Sequence, residues 1–203
     1  MKFERNSGIL LHPTSLPDSP VCGSFGEPAR VWLNELAASG IGVWQFLPLA
    51  PPDSFGSPYS SPSSFAFNPW FLDQNDLVRD GFLANTVENF SSENNYFDNR
   101  VDSQLANSRV KLLRSFLVDY WDKQNRTTQE EFERWCSKQF WLEDHSIFME
   151  LKIQNNDLPW WEWPDKYAVR DKKELVNWKK NNQRELLGHN LLQWHLDRQW
   201  KSI

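Results

Sequence analysis

The side chains best suited to bind a ligand lie in residues 43–72. This stretch begins as a short apolar segment and continues as a long loop of proline, serine and aromatic residues, with Ser57-Pro58-Tyr59 at its middle. Loops of this length are usually functional or disordered, and disordered segments contain few aromatic residues. Aromatic rings that also carry a polar group offer a sugar both a flat face and a hydrogen bond. A loop that packs only on its own aromatic side chains is the alternative.

Acid–base chemistry requires histidines or carboxylates that face each other, and no such set stands out. Four histidines are scattered along the chain: His12, His145, His189 and His195. Histidines six residues apart lie on different faces of a helix, and a histidine without a partner is predicted to be structural. The adjacent pairs Glu130-Glu131 and Glu143-Asp144 do not face each other on a helix and are expected to be solvated. Because retaining glycosyl transfer needs two carboxyl groups about 5 Å apart, the residues predict sugar-binding loops without a catalytic set.

Composition excludes several classes of protein. The 203-residue chain is 39% hydrophobic and 24% charged, which is typical of a folded protein, and its net charge of -5 weighs against nucleic acid as a partner. Cys22 and Cys136 are too few for a disulfide framework or a zinc site and fit a reducing compartment. No apolar run is long enough for a signal peptide or a membrane span. We therefore predict a cytoplasmic protein without a membrane partner; its oligomeric state stays open.

Two strands and one helix are predicted to position the aromatic loop. The apolar runs 7–11 and 43–47 predict buried strands, and Pro28 and Gly40 mark the beginning and the end of a helix between them. Such a βαβ unit has adjacent parallel strands and a right-handed crossover. Ligand binding is then expected in the loops that follow the strands, at 12–27 and 48–68.

Beyond residue 75 the apolar pattern is helical, with a short turn predicted at 76–83 and a polar loop at 88–100. Helices are predicted over 101–121, 143–154, 171–182 and 184–203, the last of them buried over much of its surface. A capping-box pattern at Thr128–Glu131 predicts one more helix beginning there, with Phe132, Trp135, Cys136 and Phe140 on one side. The first of these helices has an apolar stripe made of Leu105, Leu112, Leu113, Phe116, Leu117 and Tyr120. Residues 157–164 form a second aromatic loop.

Two strands cannot form a stable open parallel sheet by themselves, and a closed β/α barrel takes about 250 residues. The final helical pattern also runs to Ile203 without a stop signal. We therefore expect the first part of a larger domain, with a compact and complete α+β domain as the alternative.

Four motifs follow one another within residues 5–75. They are GILLHPTSLP at 8–17, W-Q-x-L-P-L-x-P at 44–51, Ser57-Pro58-Tyr59, and S-x-A-x-N-P at 64–69. In order and spacing they resemble the N-terminal part of the 4-alpha-glucanotransferases, also called amylomaltases or disproportionating enzymes. The later helices resemble, more loosely, the helical insertion of that family and the helix that precedes its next barrel strand.

The resemblance implies an α/β fold: an incomplete N-terminal part of a TIM-type β/α barrel with a largely helical insertion. Residues 1–75 would form the first βαβ unit with the substrate loop, residues 76–165 the helical insertion subdomain, and residues 166–203 the helices leading into the next barrel strand. It also implies an enzyme that transfers a segment of an α-1,4-glucan to the 4-hydroxyl of another glucan or of glucose by a retaining double displacement, without cofactor or metal. The catalytic carboxylates of the family would lie beyond Ile203, so no catalytic residue is assigned here and this chain is expected to be inactive by itself.

The substrate-binding residues that the resemblance implies are Tyr59, Ser57, Pro58, His12 and Gln45. The Tyr59 ring would pack on the glucosyl unit beside the cleaved bond, and Ser57 would offer it a hydroxyl or backbone contact. Pro58 would restrict the residue before it and so stiffen the presentation of these groups. His12 and Gln45 would support the site from positions close to the strands. The ligands implied are maltooligosaccharides and other α-1,4-glucans.

The chain departs from the family pattern just before these residues. The Gly-aromatic-Gly-Asp that is common there is replaced by Asp53-Ser54-Phe55-Gly56, and Ser60 stands where a glutamine commonly follows the tyrosine. No glucan contact is therefore assigned to Phe55. A non-catalytic module that binds glucan or a partner protein is the alternative function.

Overall fold

The computed structural model describes residues 5–17, 21–53, 55–85 and 101–203. Its strands are β1 (Gly8–Leu10) and β2 (Val43–Gln45). Its helices are α1 (Glu27–Ala38), α2 (Gln74–Arg79), α3 (Ser103–Trp121), α4 (Arg126–Cys136), α5 (Leu142–Gln154), α6 (Asp165–Ala168), α7 (Lys172–Asn181) and α8 (Gln183–Ser202). Short 3-10 turns occur at Pro13–Ser15, Pro58–Ser60, Pro69–Phe71 and Trp160–Glu162. Among these described residues no helix is long and apolar enough to cross a membrane.

The predicted βαβ unit is confirmed. Strands β1 and β2 are adjacent and parallel, and Ile9 lies opposite Trp44 in the register. Helix α1 connects them, with Pro28 in its first turn. Gly40 follows the helix with a φ of 68°, a left-handed conformation that glycine adopts at little cost. Strand β2 ends at Gln45, two residues earlier than predicted.

The prediction that both strands are buried is wrong. Leu10 is 56% exposed and Val43 is 48% exposed, while Ile9 and Trp44 between them are half-buried. The sheet has only two strands among the described residues. Parallel strands are buried where helices cover both faces and where strands flank both edges, and this pair lacks that cover in the described part of the chain.

Helix α8 forms the centre of the packing. It contacts α3, α4, α5 and α7, and Leu191, Leu192, Trp194 and Leu196 on it are almost fully buried. The breadth of burial predicted for this helix is confirmed. The largest hydrophobic cluster joins α8 to the loop residue Phe71 and to residues of α2, α3 and α4, so it includes residues from each of the three predicted segments. The segment boundaries after residues 75 and 165 stay predictions.

Capping residues and apolar periodicity predicted most of the helices, but some helix ends and some buried positions differ from the prediction. Helix α4 begins after Asn125 rather than at Thr128, because the Asn125 side-chain oxygen accepts a hydrogen bond of 2.9 Å from the Thr128 backbone N–H. In α3, Leu112 and Phe116 of the predicted stripe are exposed. Its buried side consists of Ala106, Arg109, Leu113, Leu117 and Val118. Helix α2 begins earlier than the predicted turn, α6 was not predicted, and the predicted loop at 88–100 lies outside the described residues.

Candidate functional site

The aromatic loop after β2 contains a tight turn closed by Asp53. The Asp53 carboxylate accepts hydrogen bonds of 2.9 Å from the backbone N–H groups of both Phe55 and Ser57. The Asp53 backbone donates to the Ser57 carbonyl at 3.0 Å, and Gly56 within the turn has a φ of 83°. An aspartate that bonds backbone groups two and four residues ahead is a strong local turn former, so this departure from the family pattern builds a defined turn immediately before Ser57.

Ser57-Pro58-Tyr59 forms the beginning of a 3-10 turn. Ser57 caps this turn, since its Oγ accepts a hydrogen bond of 3.3 Å from the Tyr59 backbone N–H. Pro58 occupies the first helical position, where its missing N–H costs nothing. The backbone is thereby fixed while the Tyr59 ring stays 72% exposed. An aromatic ring on a fixed backbone can bind a flat ligand face with little loss of conformational entropy.

Serine hydroxyls organise the next part of the loop in the same way. Ser61 Oγ donates to the Ser63 carbonyl at 2.7 Å and accepts from the Ser63 backbone N–H at 3.2 Å. Ser63 Oγ accepts from the backbone N–H groups of Phe65 and Ala66 at 3.2 and 3.1 Å. These bonds satisfy backbone groups that have no helix or strand partner. The loop is therefore ordered by its own side chains.

Two glutamines of α8 attach the far end of this loop to the helical core. Gln193 accepts a hydrogen bond from the Phe67 backbone N–H and donates one to the Phe67 carbonyl, both at 2.9 Å. Gln199 makes the equivalent pair of bonds with Asp73, at 2.9 and 2.8 Å. Both glutamines are buried. Neither glutamine was predicted as a loop contact. In the sequence, the one indication of such a role is that both are polar residues in a helix predicted to be buried over much of its surface.

The buried carboxylates of the described residues have structural partners. Asp73 caps α2 through the Asp76 backbone N–H at 2.9 Å and accepts from the Ser24 hydroxyl at 2.6 Å. Asp76 accepts two hydrogen bonds from Arg30, at 2.8 and 2.9 Å, and one from Arg79 at 2.7 Å. These contacts join α1 to α2 and leave no evident catalytic use for either carboxylate.

Glu150 is the other buried carboxylate of the described part of the chain. It lies 3.0 Å from Arg114 Nη1 and 3.1 Å from His189 Nε2. Burial opposes ionisation, but the hydrogen bond with His189 and the charge of Arg114 outweigh it and lower the pKa of Glu150. The carboxylate therefore stays charged and holds α5 against α3 and α8. His189 therefore has a buried carboxylate partner, whereas the sequence indicated a histidine without one.

His12 and Gln45 lie at the same end of the two strands. The Leu11 backbone N–H, next to His12, donates to the Gln45 carbonyl at 3.0 Å. The Gln45 side chain is exposed. The His12 ring contacts the edge of Phe71 with centroids 5.6 Å apart, and burial lowers the pKa of His12, so the ring is neutral near pH 7. Among the described residues no hydrogen bond or ring contact joins Tyr59 to His12 or Gln45.

Comparison with known proteins gives this arrangement its context. The family profile described as 4-alpha-glucanotransferase matches residues 11–203. The chain belongs to the 4-alpha-glucanotransferase family.

Relatives in this family are similar over the whole chain. The 4-alpha-glucanotransferase of Thermus thermophilus is 34% identical over 205 residues, which cover 100% of this chain and 40% of the relative. That of Synechocystis sp. is 33% identical, with the same coverage. A solved amylomaltase from Streptococcus agalactiae in complex with acarbose has a TM-score of 0.87 and 26% identity, over 98% of this chain and 40% of that chain. The chain spans about two fifths of the length of the relatives it matches.

An exposed aromatic cluster lies along the same loop in this member of the family. Phe65 stacks on Trp141 with centroids 6.4 Å apart and meets the edge of Phe140 at 5.0 Å. Phe140 was predicted to lie on one side of α4 together with Phe132, but it follows that helix and is 81% exposed. The helical spacing on which this prediction depended does not continue past the end of the helix at Cys136.

The described residues contain no cluster of three or more histidine, cysteine, aspartate or glutamate side chains that could hold a metal ion.

Proposed function

We propose that this chain forms part of the donor-sugar site of a 4-alpha-glucanotransferase. The reaction would transfer a segment of an α-1,4-glucan to the 4-hydroxyl of another glucan or of glucose by a retaining double displacement. The observation that carries the proposal is the exposed Tyr59 ring on a backbone fixed by Ser57 and Asp53. Family membership supplies the reaction class, and the loop supplies the surface for a sugar ring.

In this proposal Tyr59 packs against the face of a glucosyl unit beside the cleaved bond. Ser57 Oγ already accepts the Tyr59 backbone N–H, so its hydroxyl hydrogen is available to a sugar oxygen. Pro58 keeps the turn rigid. His12 and Gln45, at the ends of the strands, would support the floor of the site, with neutral His12 acting as a hydrogen-bonding rather than a charged group.

We propose that β1 and β2 are the first two strands of a β/α barrel. The exposed faces of Leu10 and Val43 support this, because further strands and helices would cover them. The similarity to an amylomaltase over 40% of its length also supports it. Residues 76–165 would then be the helical insertion, and residues 166–203 the helices that lead to the next strand.

The catalytic carboxylates are not assigned to this chain. Retaining transfer uses two carboxyl groups about 5 Å apart across the scissile bond. Asp73, Asp76 and Glu150, the buried acids in the part of the chain that the structure describes, are each held by structural partners. We propose that this chain contributes substrate binding, and that it has little transfer activity by itself. No cofactor is proposed, and the low cysteine content supports a reducing, cytoplasmic location.

Product analysis tests the proposed reaction. The gene product that carries this chain should convert maltotriose into glucose and longer maltodextrins, as seen by chromatography of the reaction mixture. Tyr59→Ala should reduce this conversion strongly. A gene product that leaves maltotriose unchanged would refute the proposed activity.

A glucan-binding module without catalysis is the second candidate. It is favoured by the exposed rings of Phe65 and Phe140 beside an ordered loop that contains no acid other than Asp53. If this candidate is correct, the gene product binds maltodextrin in calorimetry and loses that binding with Tyr59→Ala. It also leaves the chain lengths of the maltodextrin unchanged.

A further inference from the structure

The corner between α4 and α5 carries two aromatic rings that contact Phe65 of the aromatic loop. The rings of Phe65 and Trp141 are stacked, with 15° between their planes and centroids 6.4 Å apart. Phe140 meets the edge of Phe65 with centroids 5.0 Å apart. Both separations lie in the range of favourable aromatic pairs. Because Phe65 follows Tyr59 by six residues, the contact is made on the segment that carries the proposed sugar-binding ring.

Hydrogen bonds do not attach the middle of this loop to the helices. Within the described ranges, the hydrogen bonds of residues 55–66 all have their partners at positions 53–66. The next attachment is at Phe67, whose backbone binds Gln193 of α8. Among the ring contacts of the described residues, those of Phe65 are the ones that join this stretch to the helical region.

Short-range hydrogen bonds connect Phe65 to the turn that contains Tyr59. Ser63 Oγ accepts from the Phe65 backbone N–H at 3.2 Å, and Ser61 Oγ donates to the Ser63 carbonyl at 2.7 Å. Ser61 is also the residue at which the 3-10 turn Pro58–Ser60 ends. Consecutive hydrogen-bonded turns therefore lead from Tyr59 to Phe65. A shift of Phe65 is expected to move the Tyr59 ring as well.

The corner that carries Trp141 is fixed to α8 on both sides. On one side, Trp135 Nε1 of α4 donates to Asp197 at 2.8 Å. On the other side, Ser146 Oγ of α5 donates to Asn190 at 2.6 Å. Both acceptors lie on α8, the helix that also binds the far end of the loop. The stack therefore forms between two parts of the protein that share one support.

Burial in the core does not explain this aromatic contact. Phe65 is 57% exposed, Phe140 is 81% exposed and Trp141 is half-buried. None of the three belongs to a hydrophobic cluster of the described residues. Because an aromatic pair at the surface buries little area, its loss should change the position of the loop more than the stability of the protein.

We propose that Trp141 is a positioning residue for Tyr59. It acts through Phe65, since the stack fixes the loop segment and thereby the place where the Tyr59 ring presents its face. Trp141 itself contacts no substrate. The proposal rests on the proposed function, because the position of Tyr59 matters to transfer only where that ring packs on the sugar.

The position of Tyr59 can be followed without a ligand by fluorine NMR of the gene product labelled with fluorotyrosine. Tyr59→Phe identifies the Tyr59 signal by its loss. Trp141→Leu and Phe65→Leu should each shift or broaden that signal. Trp141→Phe keeps a ring for stacking and should leave it close to its original position. Phe116→Leu removes an exposed ring on α3 and is the control that should leave it unchanged.

The kinetics of maltotriose conversion give a second readout. Trp141→Leu should raise KM roughly two- to tenfold, the factor that corresponds to one lost aromatic pair, with a smaller change in kcat. A purely structural role would instead lower the amount of folded enzyme, and hence the apparent kcat, without changing KM. The double variant of Trp141→Leu and Phe65→Leu should have the KM of either single variant, because both substitutions remove the same contact.

The proposal is overturned if Trp141→Leu leaves the Tyr59 signal unchanged, if it changes that signal but not KM, or if the two KM effects multiply in the double variant. A gene product that converts no maltotriose refutes the proposed function, and the fluorine spectra then still decide whether Trp141 positions Tyr59. Thermal unfolding identifies the folded variants. If Trp141→Leu does not fold, Phe65→Leu, at an exposed position, provides the same test.

Discussion

Gln193 and Phe67 are 126 positions apart in the sequence and are joined by two hydrogen bonds of 2.9 Å between the amide side chain of one and the backbone of the other. The Gln193 amide pairs with the N–H and C=O groups of Phe67 as the backbone of a neighbouring β-strand would. It connects the end of the aromatic loop to α8, which packs on α3, α4, α5 and α7. The position of the loop therefore depends on α8 as well as on the strand from which the loop emerges.

Gln193→Leu should destabilise the protein by about 1–3 kcal/mol, because it leaves the Phe67 N–H and C=O groups without partners in a largely buried place. Chemical denaturation would measure the change in unfolding free energy. Gln183→Leu is the control, since Gln183 lies at the exposed beginning of the same helix, and it should change the stability by less than about 0.5 kcal/mol. Equal effects of the two substitutions would contradict the anchoring role.

The capping bond of Ser57 gives a second prediction. Ser57→Ala removes the acceptor for the Tyr59 backbone N–H and should cost about 0.5–1 kcal/mol of stability, with a larger relative effect on maltodextrin binding because the Tyr59 ring loses its fixed position. Ser57→Thr keeps an acceptor oxygen and should retain most of the binding. Calorimetric titration with maltotetraose would measure the affinity of both variants. If the threonine variant bound as weakly as the alanine variant, the capping bond would not be the reason for the loss of binding.

The sequence predicted those parts of the fold that depend on local signals. Pro28 and Gly40 marked both ends of α1 correctly, because a proline in the first turn and a glycine after the last turn act within a few residues. The cap that Ser57 places on the turn at Pro58–Ser60 is equally local, although only a loop was predicted there. These features need no knowledge of distant residues.

Features set by distant contacts could not be predicted. Gln193 and Gln199 are polar residues in a buried helix face, and their backbone partners cannot be inferred from helical spacing. Phe116 and Leu112 follow the apolar period of α3 and are nevertheless exposed, because burial depends on which neighbour covers each face. The predicted burial of β1 and β2 failed for the same reason: an apolar strand is buried only where other elements cover it.

Tyr59→Ala should leave the stability of the protein almost unchanged, since the ring is largely exposed. It should abolish most of the maltodextrin binding, because the flat ring face is lost. Tyr59→Phe should retain most of it. Trp161→Ala, which removes an exposed ring in the other aromatic loop, is the control and should bind maltodextrin normally. Binding that decreases equally in the Trp161 and Tyr59 alanine variants would indicate non-specific contact with aromatic surface.

Stability should fall as the solution is acidified, and His145 provides a test of the cause. Burial, with a smaller effect of the neighbouring His189, lowers the pKa of His145 from 6.5 to about 4. Between these values the unfolded chain binds a proton that the folded protein does not, so the unfolding free energy rises with pH there. The contribution of His145 to the unfolding free energy is highest above pH 6.5 and decreases as the pH falls toward 4.

His145→Gln removes this contribution and should lower the slope of unfolding free energy against pH by about 1.4 kcal/mol per pH unit between pH 4 and 6.5, the value for one proton. Urea denaturation at several pH values would measure the slope. The His189 and Glu150 pair also titrates in acid, because burial lowers the pKa of His189 and its neighbours lower that of Glu150, so the variant should retain part of the pH dependence. A slope identical to that of the unmodified protein would mean that His145 is accessible to protons in the folded state.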